Sequence, residues 1–193
     1  MAAEQRQFVT VVSGLPRSGT SMMMRMLEAG GMPVLTDGVR QADDDNPRGY
    51  FEFEAVKKKD AGHDWLATAQ GKAVKIIYRL LYDLPADCQY RVVFMQRQMS
   101  EILASQRKML ERKGEQGSAL GQEQLAGLFR KELERVGDWL TGHASFTVHE
   151  VSYNDLLSEP RPLLEGVDQF LGGGFDLDAM ATVVDASLYR NRS

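Results

Sequence analysis

Short apolar runs alternate with longer amphipathic segments along this chain. Apolar and β-branched side chains dominate residues 8–12, 73–78, 91–95 and 145–151. Runs of this kind are typical of strands that are buried on both faces of a sheet. Because the runs are separated by enough residues to form helices, the pattern predicts an α/β fold, a three-layer sandwich with a largely parallel central sheet.

Helical periodicity occupies much of the chain between the apolar runs. We expect helices at about 20–29, 100–112 and 122–140, the last with a broad apolar face. Methionines crowd the first of these segments, and we interpret them as core filling because Met adapts to irregular packing. The adjacent glycines Gly30 and Gly31 predict the end of this helix.

Composition narrows the classes of function. The 193 residues suit one domain, so we expect a single domain over 1–193. A formal net charge of −4 gives no general attraction to nucleic acid, so an anion site must be local. The single cysteine, Cys88, excludes an intramolecular disulfide framework and argues against a thiolate metal cluster. Without an apolar signal segment or a membrane-length apolar run, we expect a cytoplasmic protein that has no integral membrane contact.

The first apolar run leads directly into a loop that contains two glycines. Residues 13–19 have the sequence S-G-L-P-R-S-G, and helical periodicity begins at Thr20. Gly14 and Gly19 permit positive φ and a close approach of the backbone, so that consecutive N–H groups can point at one anion. The positive end of the following helix favours the same ligand. This strand, loop and helix therefore predict a site for a phosphate-like anion.

The loop differs from the ATP-binding version, which has the form G-x-x-x-x-G-K-[ST]. Gly14 and Gly19 keep the glycine spacing, but Thr20 occupies the position of the lysine that holds the β- and γ-phosphates. The cation lies inside the loop instead, at Arg17, whose planar guanidinium suits bidentate contact with phosphate or sulfonate oxygens. This difference argues against an ordinary ATPase or GTPase.

Residues 16–21, P-R-S-G-T-S, resemble the donor loop of the P-loop sulfotransferases, P-[KR]-S-G-[TS]-[TS], at every position. The resemblance implies a P-loop sandwich that uses 3′-phosphoadenosine-5′-phosphosulfate (PAPS) as sulfuryl donor and releases 3′,5′-adenosine bisphosphate (PAP), with no metal ion. It implies a hydroxyl or amine acceptor on a small molecule or glycan, whose identity the sequence does not determine. The implied donor contacts are Leu15, Pro16, Arg17, Ser18, Gly19, Thr20 and Ser21, and Arg17 would also stabilise the charge on the transferred group.

The same resemblance assigns the 3′-phosphate of the donor to Arg97 and Ser105. Sulfotransferases use an Arg at the end of a strand and a Ser eight residues later, and residues 97–105 reproduce this spacing. Eight helical residues span about 12 Å, so both side chains reach one phosphate only if a turn precedes the helix. Without that turn, Ser100 would substitute for Ser105. No apolar run ends convincingly in the Asp with which an ATPase holds magnesium, and this fits metal-independent chemistry.

Sulfuryl transfer also requires a base, because the attacking hydroxyl or amine loses a proton. Some sulfotransferases use a Glu that lies about twenty residues beyond the basic residue of the loop, and others use a His. Asp37 is nearest to that position, and Glu52, Glu54 and His63 are further candidates that the sequence does not separate. Glu52 ends the segment N-P-R-G-Y-F-E, which is similar to one in small bacterial sulfotransferases. Lys75 either faces the transferred group or extends to solvent.

A segment near the C-terminus extends the resemblance. Residues 153–160 resemble the Y-E-D-L-L-x-x-P stretch of bacterial sulfotransferases, with Asn154 at the usual acidic position, and we interpret the segment as structural. Arg190 and Arg192 are either a solvated tip or donor ligands. Two rival functions stay open. One is an atypical P-loop nucleotide or small-molecule kinase that uses ATP and magnesium, and the other is a non-catalytic nucleotide-binding sensor.

Overall fold

The structure, a computed structural model, describes residues 6–38, 49–58, 62–115 and 120–184. Its strands are β1 (Val9–Gly14), β2 (Val34–Leu35), β3 (Ala73–Lys75), β4 (Tyr90–Gln96) and β5 (Phe146–Ser152). They form one sheet in the order β2-β3-β1-β4-β5, and each neighbouring pair is parallel. The predicted α/β class and parallel sheet are confirmed.

Helices cover both faces of this sheet. In the described part of the chain they are α1 (Thr20–Ala29), α2 (Leu66–Ala69), α3 (Met99–Lys113), α4 (Gln122–Thr141), α5 (Tyr153–Ser158), α6 (Pro160–Phe170) and α7 (Leu177–Thr182), with 3-10 turns at Glu54–Lys57 and Tyr78–Asp83. The first helix and the last three share one core, which includes Met23, Leu156 and Met180. The other three helices share a second core, which includes Leu66, Ile102 and Val136. The predicted three-layer sandwich is confirmed.

β1 is buried along its whole length and divides its side chains between the two cores. Val9 and Val11 point into the core of α2, α3 and α4, and Val12 points into the core of α1. A central parallel strand is covered on both faces, which explains its continuous apolar sequence. The methionines of α1 are buried in the core that this helix shares with the last three helices, so their interpretation as core filling is confirmed.

The parallel register brings the carboxyl ends of the strands to one edge of the sheet. Gly14 at the end of β1 pairs with Met95 of β4, and Lys75 at the end of β3 pairs with Val12. β4 and β5 end level with each other. The segments that follow these strands therefore begin at the same edge, where ligands bind in open α/β sheets.

The second apolar run forms a shorter strand than predicted. β3 ends at Lys75, and a 3-10 turn follows. Tyr78, Leu81 and Leu84 are buried at intervals of three residues, which is the period of a 3-10 helix, whereas Ile77 is exposed. The 3-10 period places Tyr78, Leu81 and Leu84 on one face of the segment, where they join the core that includes Leu66 and Val136.

Some sequence predictions fall on residues outside the described ranges. Arg190 and Arg192 lie there, as does most of the N-P-R-G sequence that precedes Tyr50. Within the described ranges, no helix combines the length and the apolar character that crossing a bilayer requires.

Candidate functional site

Two glycines shape the loop between β1 and α1. Gly14 has φ +145°, and a Cβ atom there would lie 2.6 Å from the carbonyl oxygen of Met95. Gly19 has φ +101°, and a Cβ atom there would lie 2.3 Å from Cδ2 of Tyr153. Because both positions lack a side chain, the loop packs directly against β4 and α5.

The beginning of α1 fits an oxyanion. Its N-cap is Gly19, which has no side chain to accept hydrogen bonds from the first turn. Thr20 and Ser21 are the first helical residues, so their N–H groups have no acceptor within the helix. The hydroxyl of Ser18 is fully buried and has no hydrogen-bond partner among the described residues. An anion in this loop would accept from the helix N–H groups and meet the positive end of the helix dipole.

Arg17 carries the positive charge of the loop, and its backbone is in a strained conformation. Its φ is +75°, in the left-handed region that residues other than glycine rarely adopt. Its Nε donates a hydrogen bond of 2.8 Å to the hydroxyl oxygen of Ser105. Ser105 is buried on α3, so this bond joins the loop to that helix. Strained residues of this kind concentrate at functional sites.

Arg97 follows β4 and contacts the same loop. Its Nη1 donates to the carbonyl oxygen of Arg17 at 3.0 Å, and its Nε donates to Oε2 of Glu101 at 2.8 Å. Its guanidinium carbon lies 4.4 Å from the centroid of the Tyr153 ring. Arg97 is therefore held by three elements of the fold, the loop after β1, the first turn of α3 and α5.

The structure brings the predicted pair Arg97 and Ser105 to one place. Gln98 has φ −54° and ψ 128°, so a non-helical residue separates Arg97 from α3 and supplies the turn that the pair requires. Arg17 connects the two, because its Nε contacts Ser105 and its carbonyl oxygen accepts from Arg97. Ser100, the substitute, is exposed to solvent. Contact of this pair with a donor phosphate stays a prediction.

Sequence reasoning missed two charged residues near this loop, Glu101 and Arg25. Burial raises the pKa of the Tyr153 phenol, and the charge of Glu101 adds to the rise, while Arg97, Arg25 and Arg17 oppose it. These four charged residues therefore act on the Tyr153 phenol, and Arg97 also packs against its ring. Arg97 precedes the non-helical Gln98 and lies outside α3, so the helical i to i+4 rule gives no signal for its pair with Glu101. The approach of Arg25 to Tyr153 has no signal in the sequence.

Lys75, at the end of β3, does not extend to solvent. Its side chain is 9% exposed, and its Nζ donates to the carbonyl oxygen of Tyr50. The same Nζ lies 3.9 Å from Oε1 of Glu52, whose side chain is 14% exposed. The end of β3 therefore carries an ammonium group beside one of the candidate bases.

Glu52 lies between two lysines. Its Oε2 is 2.5 Å from Nζ of Lys57, which also contacts Oε1 of Glu54 at 2.7 Å. Burial lowers the pKa of Lys57, but its hydrogen bonds and attraction to Glu52 and Glu54 outweigh burial and raise the pKa above the ordinary value. Ammonium groups from Lys57 and Lys75 thus face the Glu52 carboxylate.

The other candidate bases contact backbone groups or lie further into solvent. Oδ2 of Asp37 accepts the N–H of Glu54 at 2.5 Å and so holds the start of the first 3-10 turn. Nε2 of His63 lies 2.8 Å from the carbonyl oxygen of Asp83. Both side chains are exposed. The described residues include no group of three or more His, Cys, Asp or Glu that could hold a metal ion.

Solved structures of sulfotransferases resemble this chain. The sulfotransferase domain from the curacin biosynthetic pathway has a TM-score of 0.53 and 13% identity, over 98% of this chain and 93% of that chain. Sulfotransferase STF1 from Mycobacterium tuberculosis has a TM-score of 0.59 and 16% identity, over 93% and 71%. Mouse sulfotransferase SULT7A1 complexed with PAP has a TM-score of 0.58 and 16% identity, over 98% and 68%. No family model and no curated protein matches the sequence. At these identities the likeness shows the fold.

Proposed function

Because the chain has the fold of the P-loop sulfotransferases, we propose that it moves a sulfuryl group from PAPS to a hydroxyl or amine of a small-molecule or glycan acceptor. The acceptor oxygen or nitrogen attacks sulfur in line. The bond between sulfur and the bridging phosphate oxygen breaks, and PAP departs with the electron pair of that bond. The proton of the acceptor passes to a protein side chain.

One observation carries the proposal, the convergence of Arg17, Ser105 and Arg97 at the loop. Arg17 contacts Ser105 through its side chain at 2.8 Å and Arg97 through its carbonyl oxygen at 3.0 Å. These residues come from three separate parts of the chain. A small cluster of guanidinium and hydroxyl donors beside a helix N-terminus suits a ligand that carries more than one anionic group.

The donor is held by residues on both sides of this cluster. The 5′-phosphosulfate occupies the loop, where Arg17 and the first N–H groups of α1 stabilise the charge that develops on the sulfonate and bridging oxygens. The 3′-phosphate lies toward Arg97 and Ser105. Because Thr20 replaces the lysine of the ATP-binding loop, the loop favours this ligand over a triphosphate.

Glu52 is the base in this proposal. Its carboxylate lies 3.9 Å from Nζ of Lys75. Lys75 ends β3, which pairs with β1, and β1 leads into the loop. Lys57 and Lys75 favour an ionised carboxylate, the form that accepts a proton. Lys75 can also attract the anionic sulfuryl group as it moves from donor to acceptor.

Thermal unfolding with PAP, with AMP and with ATP plus magnesium tests the donor. A ligand at about one hundred times its dissociation constant adds about 2.7 kcal/mol to the free energy of unfolding. We expect PAP to raise the melting temperature most, and magnesium-ATP to have no effect. Arg17→Ala should lose the PAP shift, whereas Arg130→Ala, which removes an exposed cation on α4, should keep it.

Two other results would contradict the proposal. Stabilisation by magnesium-ATP and not by PAP would favour a kinase. Binding of PAP without transfer from sulfur-labelled PAPS to any compound of a broad acceptor screen would favour a non-catalytic sensor.

A further inference from the structure

Glu101 is a buried carboxylate next to the donor site, and the donor contacts proposed above do not use it. It lies in the first turn of α3, and its side chain is 1% exposed. Its Oε2 accepts the Nε–H of Arg97 at 2.8 Å. Burial of a carboxylate is costly unless its second oxygen is also hydrogen-bonded.

Asn154 donates to that second oxygen. Its Nδ2 donates to Oε1 of Glu101 at 3.1 Å, and its Oδ1 accepts the N–H of Gln98 at 3.2 Å. Asn154 therefore connects α5 to the turn between β4 and α3. A side-chain amide can make both contacts because it presents a donor and an acceptor, whereas an ionised carboxylate presents acceptors alone.

These contacts fix the direction of the Arg97 guanidinium. Glu101 holds its Nε, the carbonyl oxygen of Arg17 accepts from its Nη1, and Tyr153 covers its face. An arginine side chain has large rotamer entropy, so an arginine that is already ordered loses less freedom when a ligand binds. The buried pair thus prepares Arg97 for an anion.

We infer that Glu101 and Asn154 are positioning residues that hold Arg97 toward the 3′-phosphate of the donor. The identity of this anion rests on the proposed sulfotransferase function. The positioning itself rests on the hydrogen bonds of Glu101 and Asn154, which do not depend on that function.

A simple counter-ion would have the opposite effect on binding. If Glu101 only neutralised Arg97, the change Glu101→Gln would leave more positive charge at the site and would tighten phosphate binding. If Glu101 positions Arg97, the same change weakens binding, because the new amide group then faces either Nε of Arg97 or Nδ2 of Asn154, donor against donor. Tighter phosphate binding in Glu101→Gln would therefore indicate a counter-ion, and weaker binding would indicate a positioning residue.

Exchange of the two side chains supplies a rescue. Asn154→Asp alone places a second carboxylate against Glu101 and removes the donor between them. In the double variant Glu101→Gln/Asn154→Asp, the introduced amide on α3 can accept from Arg97 and donate to the introduced carboxylate on α5, which still accepts from Gln98. The double variant keeps the formal charge of the pair.

Calorimetric binding of PAP and AMP measures the contribution of the 3′-phosphate, since the two ligands differ only in that group. We expect wild type to prefer PAP. Each single variant should lose on the order of tenfold of that preference, the size expected for a hydrogen bond to a charged group. The double variant should recover most of it. Glu111→Gln, at an exposed site on the same helix, serves as control and should have no effect.

A nuclear magnetic resonance measurement without ligand tests the positioning separately. The Nε–H signal of Arg97, assigned by its loss in Arg97→Lys, should exchange slowly with solvent in wild type and in the double variant, and rapidly in each single variant. If wild type prefers PAP and the single variants keep that preference, the positioning role is overturned while the donor assignment survives. If wild type shows no preference, the donor assignment fails, and the exchange pattern alone supports or overturns the positioning of Arg97.

Discussion

The ring of Tyr153 lies directly against Gly19. A Cβ atom at Gly19 would be 2.3 Å from Cδ2 and 3.0 Å from Cε2 of that ring. Tyr153 is buried at the beginning of α5, and its ring also lies under the guanidinium of Arg97. The helix after the last described strand and the loop after the first one are thereby joined through an aromatic ring, which is why residues near 153 belong to the site.

Gly19→Ala should destabilise the protein and impair the loop. The added methyl group meets the Tyr153 ring, and φ +101° is unfavourable for alanine. We expect a loss of about 2–4 kcal/mol in the free energy of unfolding, measured by chemical denaturation. Gly127→Ala is the matched control, because Gly127 lies in α4 with no atom near the added methyl. The free energy of unfolding of Gly127→Ala should increase by about 0.5–1 kcal/mol. Equal effects of the two changes would contradict the close packing of Gly19.

The Arg17→Gly variant should be more stable than the Arg17→Ala variant. Both changes remove the guanidinium, but only glycine adopts φ +75° without strain, so we expect a difference of about 1 kcal/mol in its favour. The same two changes at Arg130, in the middle of α4, should give the reverse order, because glycine is the poorer helix former by about 1 kcal/mol. Denaturation of the four variants checks both orders. A more stable Arg17→Ala would show that the loop does not hold this residue in the left-handed region.

Glu52→Gln should abolish most of the transfer and leave donor binding intact. Loss of a general base typically costs roughly a hundredfold or more in rate. The measurement is the rate of sulfuryl transfer from labelled PAPS to an acceptor found by screening, together with the affinity for PAP. Asp37→Asn is the control, since an asparagine oxygen can still accept from the N–H of Glu54. If Asp37→Asn lost the activity and Glu52→Gln kept it, the base would be Asp37.

The stability of the protein should depend on the protonation of His149. Burial lowers the pKa of this imidazole, whose ring stacks on Phe170 with 5.2 Å between the centroids. The unfolded chain then binds a proton more readily than the folded one, so stability falls as the pH decreases through the ordinary value of about 6.5 toward the lowered one. His149→Gln should flatten the pH dependence of the melting temperature in this window. An unchanged pH dependence in His149→Gln would contradict the prediction.

Much of the fold follows from local patterns in the sequence. Continuous apolar runs predicted β1 and β4 because an inner strand of a parallel sheet is buried on both faces. β5, at the edge of the sheet, was also predicted, although only its ends, Phe146 and Val151, are buried. Where an apolar run was compatible with a strand and with a helical turn, the local sequence did not decide between them. The run that begins at Ala73 ends its strand at Lys75, and a 3-10 helix begins at Tyr78. Burial of Tyr78, Leu81 and Leu84 with a period of three depends on the helices that share their core.

By itself, the sequence determined the strand, loop and helix of the anion site, including Gly14, Arg17 and Gly19, because neighbouring residues and their spacing specify that geometry. Only the tertiary structure decided which distant side chains join them. Glu101 and Asn154 come near the loop because parallel strands bring their carboxyl ends, and the helices that follow, to one edge of the sheet. Likewise, the structure places Glu52 beside Lys75 through packing between segments that no local pattern relates.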